Sequence, residues 1–199
     1  MKHILLAFIC VSLLSATFAQ DNPRPTKSRF WKSKESTFAI KPGDILVYQV
    51  QDNGETYDLL VHVKSFGNSI NFTYDVPQKN NRSAVMIEAA AVKDNTAYNN
   101  IFSTAGKGKS TLWLSKKNWR DIATVGATAM DFGNGSQQFT RVNNGTIKIN
   151  YKGKPKILTL YNVTAEEGNK RSFGVLTEEN NPLLVTADDG INFKLKEVR

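Results

Sequence analysis

A mainly β fold is what this sequence predicts: a single antiparallel sandwich or partly closed half-barrel of about 11 short strands, with one or two short helices. Three observations carry the expectation. Apolar residues recur at every second position in short runs, the period of a half-buried strand. Gly, Asn, Asp and Pro cluster between those runs and supply turn conformations. Only two stretches depart from the alternation towards helical character. With 40% hydrophobic and 10% aromatic residues among 199, the composition is that of a globular chain, not a disordered or collagen-like one.

In chain order, ILVYQV (Ile45 to Val50) follows Gly43-Asp44, and Asp52-Asn53-Gly54 is a strong hairpin signal. TYDLLVHV (Thr56 to Val63) returns, Gly67-Asn68 turns again, and SINFTYDV (Ser69 to Val76) runs to Pro77, giving a three-stranded meander. EAAAVKD (Glu88 to Asp94), after the apolar Val85-Met86-Ile87, is Ala-rich enough for a short helix. TLWLS (Thr111 to Ser115) reads as a strand, and Ser115 is placed to cap a helical turn over KKNWRDIA (Lys116 to Ala123). The remaining strands are expected at Ala127 to Phe132, Gln137 to Val142, Thr146 to Tyr151, Ile157 to Val163, Ser172 to Thr177, Leu183 to Ala187 and Ile191 to Val198. Turns are expected between them, among these one at Asn143-Asn144-Gly145.

Before the β domain, assigned to residues 37–199, the sequence predicts two further segments. Residues 1–19 have one Lys, an apolar run from Ile4 to Leu14 and small residues at Thr17 and Ala19, the pattern of a secretory signal peptide. Residues 20–36 form a basic arm with two Pro and the aromatic pair Phe30-Trp31. The predicted destination is the periplasm or the medium, in a Gram-negative bacterium. Cleavage after Ala19 removes Lys2, His3 and Cys10, lowers the formal charge from +8 to +7, and leaves His62 as the only histidine. A mature chain without cysteine has no thiol nucleophile and no Cys metal site.

Each motif with chemical overtones has a simpler reading. Gly106-Lys107-Gly108-Lys109-Ser110 ends like a phosphate-binding loop, but Ser103 stands where the first glycine belongs and a strand pattern follows instead of a helix. Asp131-Phe132-Gly133 reads as a strand end entering a glycine turn. Asp188-Asp189-Gly190 and Asp52-Asn53-Gly54 lack the full alternation of a calcium loop. One histidine without cysteine cannot build a His/Cys zinc site. No Gly-x-Ser-x-Gly elbow accompanies His62 for a serine triad. Carboxylates that would serve a glycan-acting hydrolase fall in turns, at Glu166-Glu167, Glu178-Glu179 and Asp188-Asp189. No catalytic residue, metal or cofactor is predicted. The five Asn-x-Ser/Thr sites, at Asn71, Asn81, Asn134, Asn144 and Asn162, are glycan acceptors only in a eukaryotic pathway.

The excess of basic residues suits an anionic partner. Lys107, Lys109, Lys116, Lys117 and Arg120 gather around Trp113 and Trp119. Export argues against nucleic acid and for acidic glycans, anionic lipid surfaces or an envelope protein. No apolar run reaches the ~20 residues of a membrane-spanning helix.

The segments STLWLSKKNWRDI (Ser110 to Ile122) and NNPLLVTADDGINFKLKEV (Asn180 to Val198) resemble a group of uncharacterised exported proteins of the Bacteroidota, over roughly residues 43–198. The Asn-Pro-Leu followed by strand, turn and final strand is more faintly similar to LolA-like periplasmic half-barrels. That second resemblance implies a concave sheet that holds acyl chains; neither transfers a site residue.

The reading that joins these strands is a non-enzymatic exported binding protein with an apolar ligand, a lipid or acyl chain, in a concave sheet. Tyr48, Phe72, Tyr74, Trp113, Phe139 and Tyr161 are its expected lining. The alternative is an envelope interaction or structural protein that docks through Phe30, Trp31, Lys116 and Lys117. The hydrolase ranks last. A carrier calls for a cavity; a docking protein calls for a solid core with an exposed aromatic patch.

Overall fold

The computed structural model describes residues 38–99, 109–133, 135–166, 171–188 and 190–199. The signal-peptide and arm assignments, with Phe30 and Trp31, lie outside the described residues, as do Lys107, Asn134, Glu167 and Asp189. The strands are β1 (Ile45–Asp52), β2 (Glu55–Ser65), β3 (Ile70–Val76), β4 (Asn81–Ile87), β5 (Ala127–Asp131), β6 (Ser136–Tyr151), β7 (Lys154–Ala165), β8 (Ser172–Leu176), β9 (Leu184–Asp188) and β10 (Asn192–Val198). Two helices, α1 (Ala89–Asp94) and α2 (Lys116–Thr124), stand between β4 and β5.

All ten strands belong to one antiparallel sheet in the order β4-β3-β2-β1-β10-β9-β8-β7-β6-β5. A short parallel contact sets Glu197 and Val198 of β10 beside Asn150 and Tyr151 of β6. The sheet therefore curls into a partial ring without closing as a barrel, in line with the expected mainly β, partly closed architecture. The predicted meander is β1–β2–β3, and Asn53 and Gly54 turn its first hairpin with φ of 49° and 82°. Both lie in the left-handed region that a two-residue type I′ connection demands.

Three local expectations are corrected. Asn143-Asn144-Gly145 is not a turn: β6 runs straight through it, opposite Asn162, Tyr161 and Leu160 of β7. Gly145 serves close approach instead, since a Cβ there would sit 2.5 Å from the Nδ2 of Asn162. Thr111 to Ser115 is not a regular strand; Leu114 and Leu184 N–H groups tie it to Pro182 and Leu112 carbonyls at 2.9 and 2.8 Å, after which Ser115 turns the chain into α2. Asn81 to Ile87, where no strand was expected, pairs along all of β3. Its alternation is weak because only Val85 and Ile87 are buried.

Both helices fall where propensity and capping place them. The Ser115 hydroxyl accepts from the Asn118 N–H at 3.2 Å, an N-cap. Trp119 and Ile122 point inward from α2 while Lys117 and Arg120 face solvent.

The apolar interior falls into two clusters. The larger joins β1–β4 and α1 to Ile147, Ile149, Leu158 and Leu160 on the turn-proximal half of the β6–β7 ribbon. The smaller gathers Tyr98, Leu114, Trp119, Ile122, Met130, Phe139, Val163, Phe173, Val175 and Leu184. Leu160 and Val163 are three apart on β7, so alternation puts them on opposite faces of the ribbon. β6 manages the same change with a bulge: Arg141 opposes Val163 and Asn143 opposes Asn162, leaving Val142 as the extra, exposed residue.

Candidate functional site

An apolar cleft opens beside the smaller cluster, where β8, β9 and β10 run next to each other. Their register makes it. Phe173 of β8 lies opposite Ala187 of β9, and Ala187 lies opposite Phe193 of β10. Cross-strand neighbours share a face, so a methyl side chain stands between two rings and leaves a depression.

Phe139 of β6 and Phe132, just past β5, supply two more walls, with ring centroids 5.5 Å apart and Phe139 5.6 Å from Phe173. These rings are held from behind. Tyr98 stacks on Phe132 at 5.2 Å, and Tyr48 meets Phe193 edge-on at 5.5 Å. Leu112, Leu184 and Ile191 complete the apolar lining, and the cavity measures about 60 Å³. At ~10–15 Å³ per water, that is room for a few waters or for one ring-sized or short branched group.

Four polar residues line the same cleft: Asn99, Thr111, Arg171 and Ser172. Thr111 is 4% exposed, and its buried Oγ1 has no hydrogen-bond partner among the described residues. The Arg171 guanidinium lies 5.8 Å from the centre of the Phe132 ring. It is the only charged side chain among the described lining residues.

A polar latch behind the cleft fixes the segment that carries Thr111 and Leu112. The Tyr98 hydroxyl accepts from the Ser115 N–H at 3.1 Å and from Asn118 Nδ2 at 3.0 Å, and the Ser115 hydroxyl donates to the Asn95 carbonyl at 2.8 Å. Burial pushes the Tyr98 phenol up to about 12, against the opposing effect of those donors. Burial likewise drives Tyr48 well above the ordinary tyrosine value, and its hydroxyl donates to the Leu184 carbonyl at 2.8 Å.

Of the six residues expected to line a ligand site, the structure brings only Phe139 to the cleft. Tyr48, Phe72, Tyr74 and Trp113 are packed inside the larger cluster. Phe72 and Trp113 lie 5.4 Å apart, and the Trp113 indole donates to Asn181 Oδ1 at 3.2 Å. Tyr161 is half-buried between Trp119, 6.0 Å away, and Arg141 at 5.0 Å. Of the expected docking residues, Lys116 is half-buried and Lys117 pairs with Asp121 at 2.8 Å on the surface of α2.

Sequence reasoning passed over Phe132, Phe173, Ala187, Phe193, Thr111 and Arg171. Phe173 and Phe193 sit in segments correctly read as strands, so alternation alone gives each a face. Only the pairing register places them on either side of Ala187. Among the described residues no three His, Cys, Asp or Glu side chains gather as a metal site, and no helix is long and apolar enough to cross a membrane.

No family model, curated protein or solved structure matches this chain.

Proposed function

We propose that this chain is a non-enzymatic, exported binding protein that takes the apolar end of a small ligand into the cleft between Phe132, Phe139, Phe173 and Phe193. The observation that carries the reading is the Phe173–Ala187–Phe193 row. Two large rings separated by a methyl group, backed by further aromatic side chains, form a preorganised hole rather than a loosely packed interior. Small-molecule sites of this kind are concave and mostly apolar, with a few polar groups that orient the occupant. The size of the cavity favours the end of a chain or a single ring over an entire lipid. The leader pattern of residues 1–19 supports export.

The test fills the hole from within. Ala187→Leu adds three carbons to a half-buried position facing the cleft. Native mass spectrometry of wild-type protein exported into a bacterial periplasm should show an adduct that is lost on denaturation. Ala187→Leu should carry none while keeping its melting temperature within a few degrees. A bare wild-type mass that stays bare after incubation with toluene, phenylpropanoate and decanoate would overturn the reading, and so would an adduct that Ala187→Leu retains.

A further inference from the structure

We infer that the occupant of the cleft is an anion: a carboxylate whose ring or short chain lies among the phenylalanines and whose charged end meets Arg171 and Thr111. The inference rests on the binding role proposed above and adds the chemical class of the ligand. Two independent observations carry it.

The first is electrostatic. Arg171 is the single charged group among the described residues of the cleft wall. Its guanidinium is poised over the Phe132 ring, at the border of the apolar lining. A guanidinium has five donors in a planar fork, so it can serve a ligand carboxylate alongside another acceptor. A cation among aromatic rings, where water is scarce, attracts an anionic end group more strongly than it would in open solvent.

The second is the hydroxyl of Thr111. Buried polar groups in folded proteins are nearly always hydrogen-bonded, because an unmade bond in the interior is costly. Thr111 is 96% buried, it lines the cleft, and its Oγ1 has no partner among the described residues. Its neighbours are otherwise well satisfied: Ser110 donates to the Trp113 carbonyl, and the Leu112 carbonyl accepts from Leu184. An orphan hydroxyl on the wall of an apolar hole is explained by an acceptor that the occupant brings. A carboxylate oxygen is such an acceptor, and a second oxygen on the same carbon remains for Arg171. A neutral hydrocarbon would fill the rings and leave the Thr111 hydroxyl unanswered.

The two residues make different predictions in the free protein. Replacing Thr111 by valine keeps the shape and removes the orphan, so Thr111→Val should fold at least as well as wild type. Loss of binding in that variant cannot then be put down to loss of fold. Arg171→Gln removes the charge at a half-buried position and is the complementary change.

The experiment is isothermal titration of full-length mature protein with 3-phenylpropanoate, its neutral counterpart 3-phenylpropanamide, and toluene. The acid is expected to bind about tenfold or more tighter than the amide, the scale of a hydrogen bond to a charged group. Thr111→Val and Arg171→Gln should each remove most of that preference while leaving toluene unaffected. Equal affinities for acid and amide, both abolished by Ala187→Leu, would overturn the anion assignment and leave the binding role standing. Failure of all three probes to bind would overturn both. Wild-type affinity for the acid in Thr111→Val, with its fold intact, would overturn the assignment of the hydroxyl as a ligand group.

Discussion

The two apolar clusters are built from the same kinds of residue and share the β6–β7 ribbon, yet one is filled and the other is open. In the larger, Phe72, Trp113 and Phe66 pack ring against ring, with Phe72–Trp113 and Phe66–Trp113 centroids 5.4 and 6.0 Å apart. In the smaller, four phenylalanines surround a cavity because the residue between two of them is alanine. Aromatic content does not decide whether a β interior is scaffold or site. What decides it is whether a small side chain falls in register between large ones.

The comparison can be broken most severely at the device that creates it. Val142 is the extra residue of the β6 bulge, and it shifts Ile147 and Ile149 onto the face opposite Phe139. An alanine inserted after Val142 would put Phe139 and Ile147 back on one face of β6, so one cluster must lose its β6 side chains. Each buried apolar side chain is worth roughly 1.5–3 kcal/mol, and the insertion is expected to cost more than any single substitution below. Urea denaturation measures it; near wild-type stability would show that the ribbon does not divide its faces as described.

A pair of truncations then sharpens the contrast. Phe72→Ala should cost about 3–5 kcal/mol, as for a large side chain removed from a packed interior. Phe132→Ala should cost roughly 1 kcal/mol, since that ring is half-buried and already borders a cavity. Equal losses in the two denaturation curves would mean that the smaller cluster is as tightly filled as the larger.

An effect smaller than that of Phe72→Ala is expected at the latch. Tyr98→Phe leaves the Ser115 N–H and the Asn118 amide without their acceptor and should cost about 1–3 kcal/mol at neutral pH. The pH dependence has a definite sign. Tyr48 and Tyr98 are both raised by burial, so their phenols hold protons in the folded state that the unfolded chain has released. Their contribution is complete below the unfolded value of 10.0 and is lost as pH rises through the folded value, about 12 for Tyr98. Thermal melts between pH 9 and 12 should fall steeply in wild type and less steeply in Tyr98→Phe. Parallel slopes would mean that the phenol of Tyr98 does not titrate with unfolding.

The weakest effect belongs to the solvent side of α2. Lys117 and Asp121 form an i,i+4 pair at 2.8 Å, but the lysine is about half exposed. Lys117→Ala is expected to change stability by less than ~0.5 kcal/mol, and by less still in high salt. A larger loss would tie this surface to the interior more closely than its exposure allows.

Much of the fold was legible in the residues. The meander, the Asn53-Gly54 turn and the Ser115 cap are local features, set by side-chain alternation and by turn and capping chemistry within a few residues. The errors were local signals that distant contacts overrode. Asn143-Asn144-Gly145 has turn residues, but the long β7 strand holds it extended and Asn162 occupies the space that a Cβ of Gly145 would take. Thr111 to Ser115 has strand residues, but the Pro182 to Leu184 segment offers it only two backbone bonds before the helix cap. The site was less legible than the fold: of the aromatic residues chosen as lining, Phe139 reached the cleft, while Phe72 and Trp113 were spent on packing.

By itself the sequence determined that the chain is mainly β, where most strands begin and end, and that Ser115 caps α2. Alternation and capping act within one segment, so one segment suffices to read them. The tertiary structure decided which strands are neighbours, that β6 and β7 face both clusters, and that Phe173, Ala187 and Phe193 form one row. Alternation assigns a side chain to a face of its own strand, but the residue opposite it belongs to another strand. Register between strands is a relation between distant parts of the chain, and the cleft, with Thr111 and Arg171 on its wall, is made of such relations.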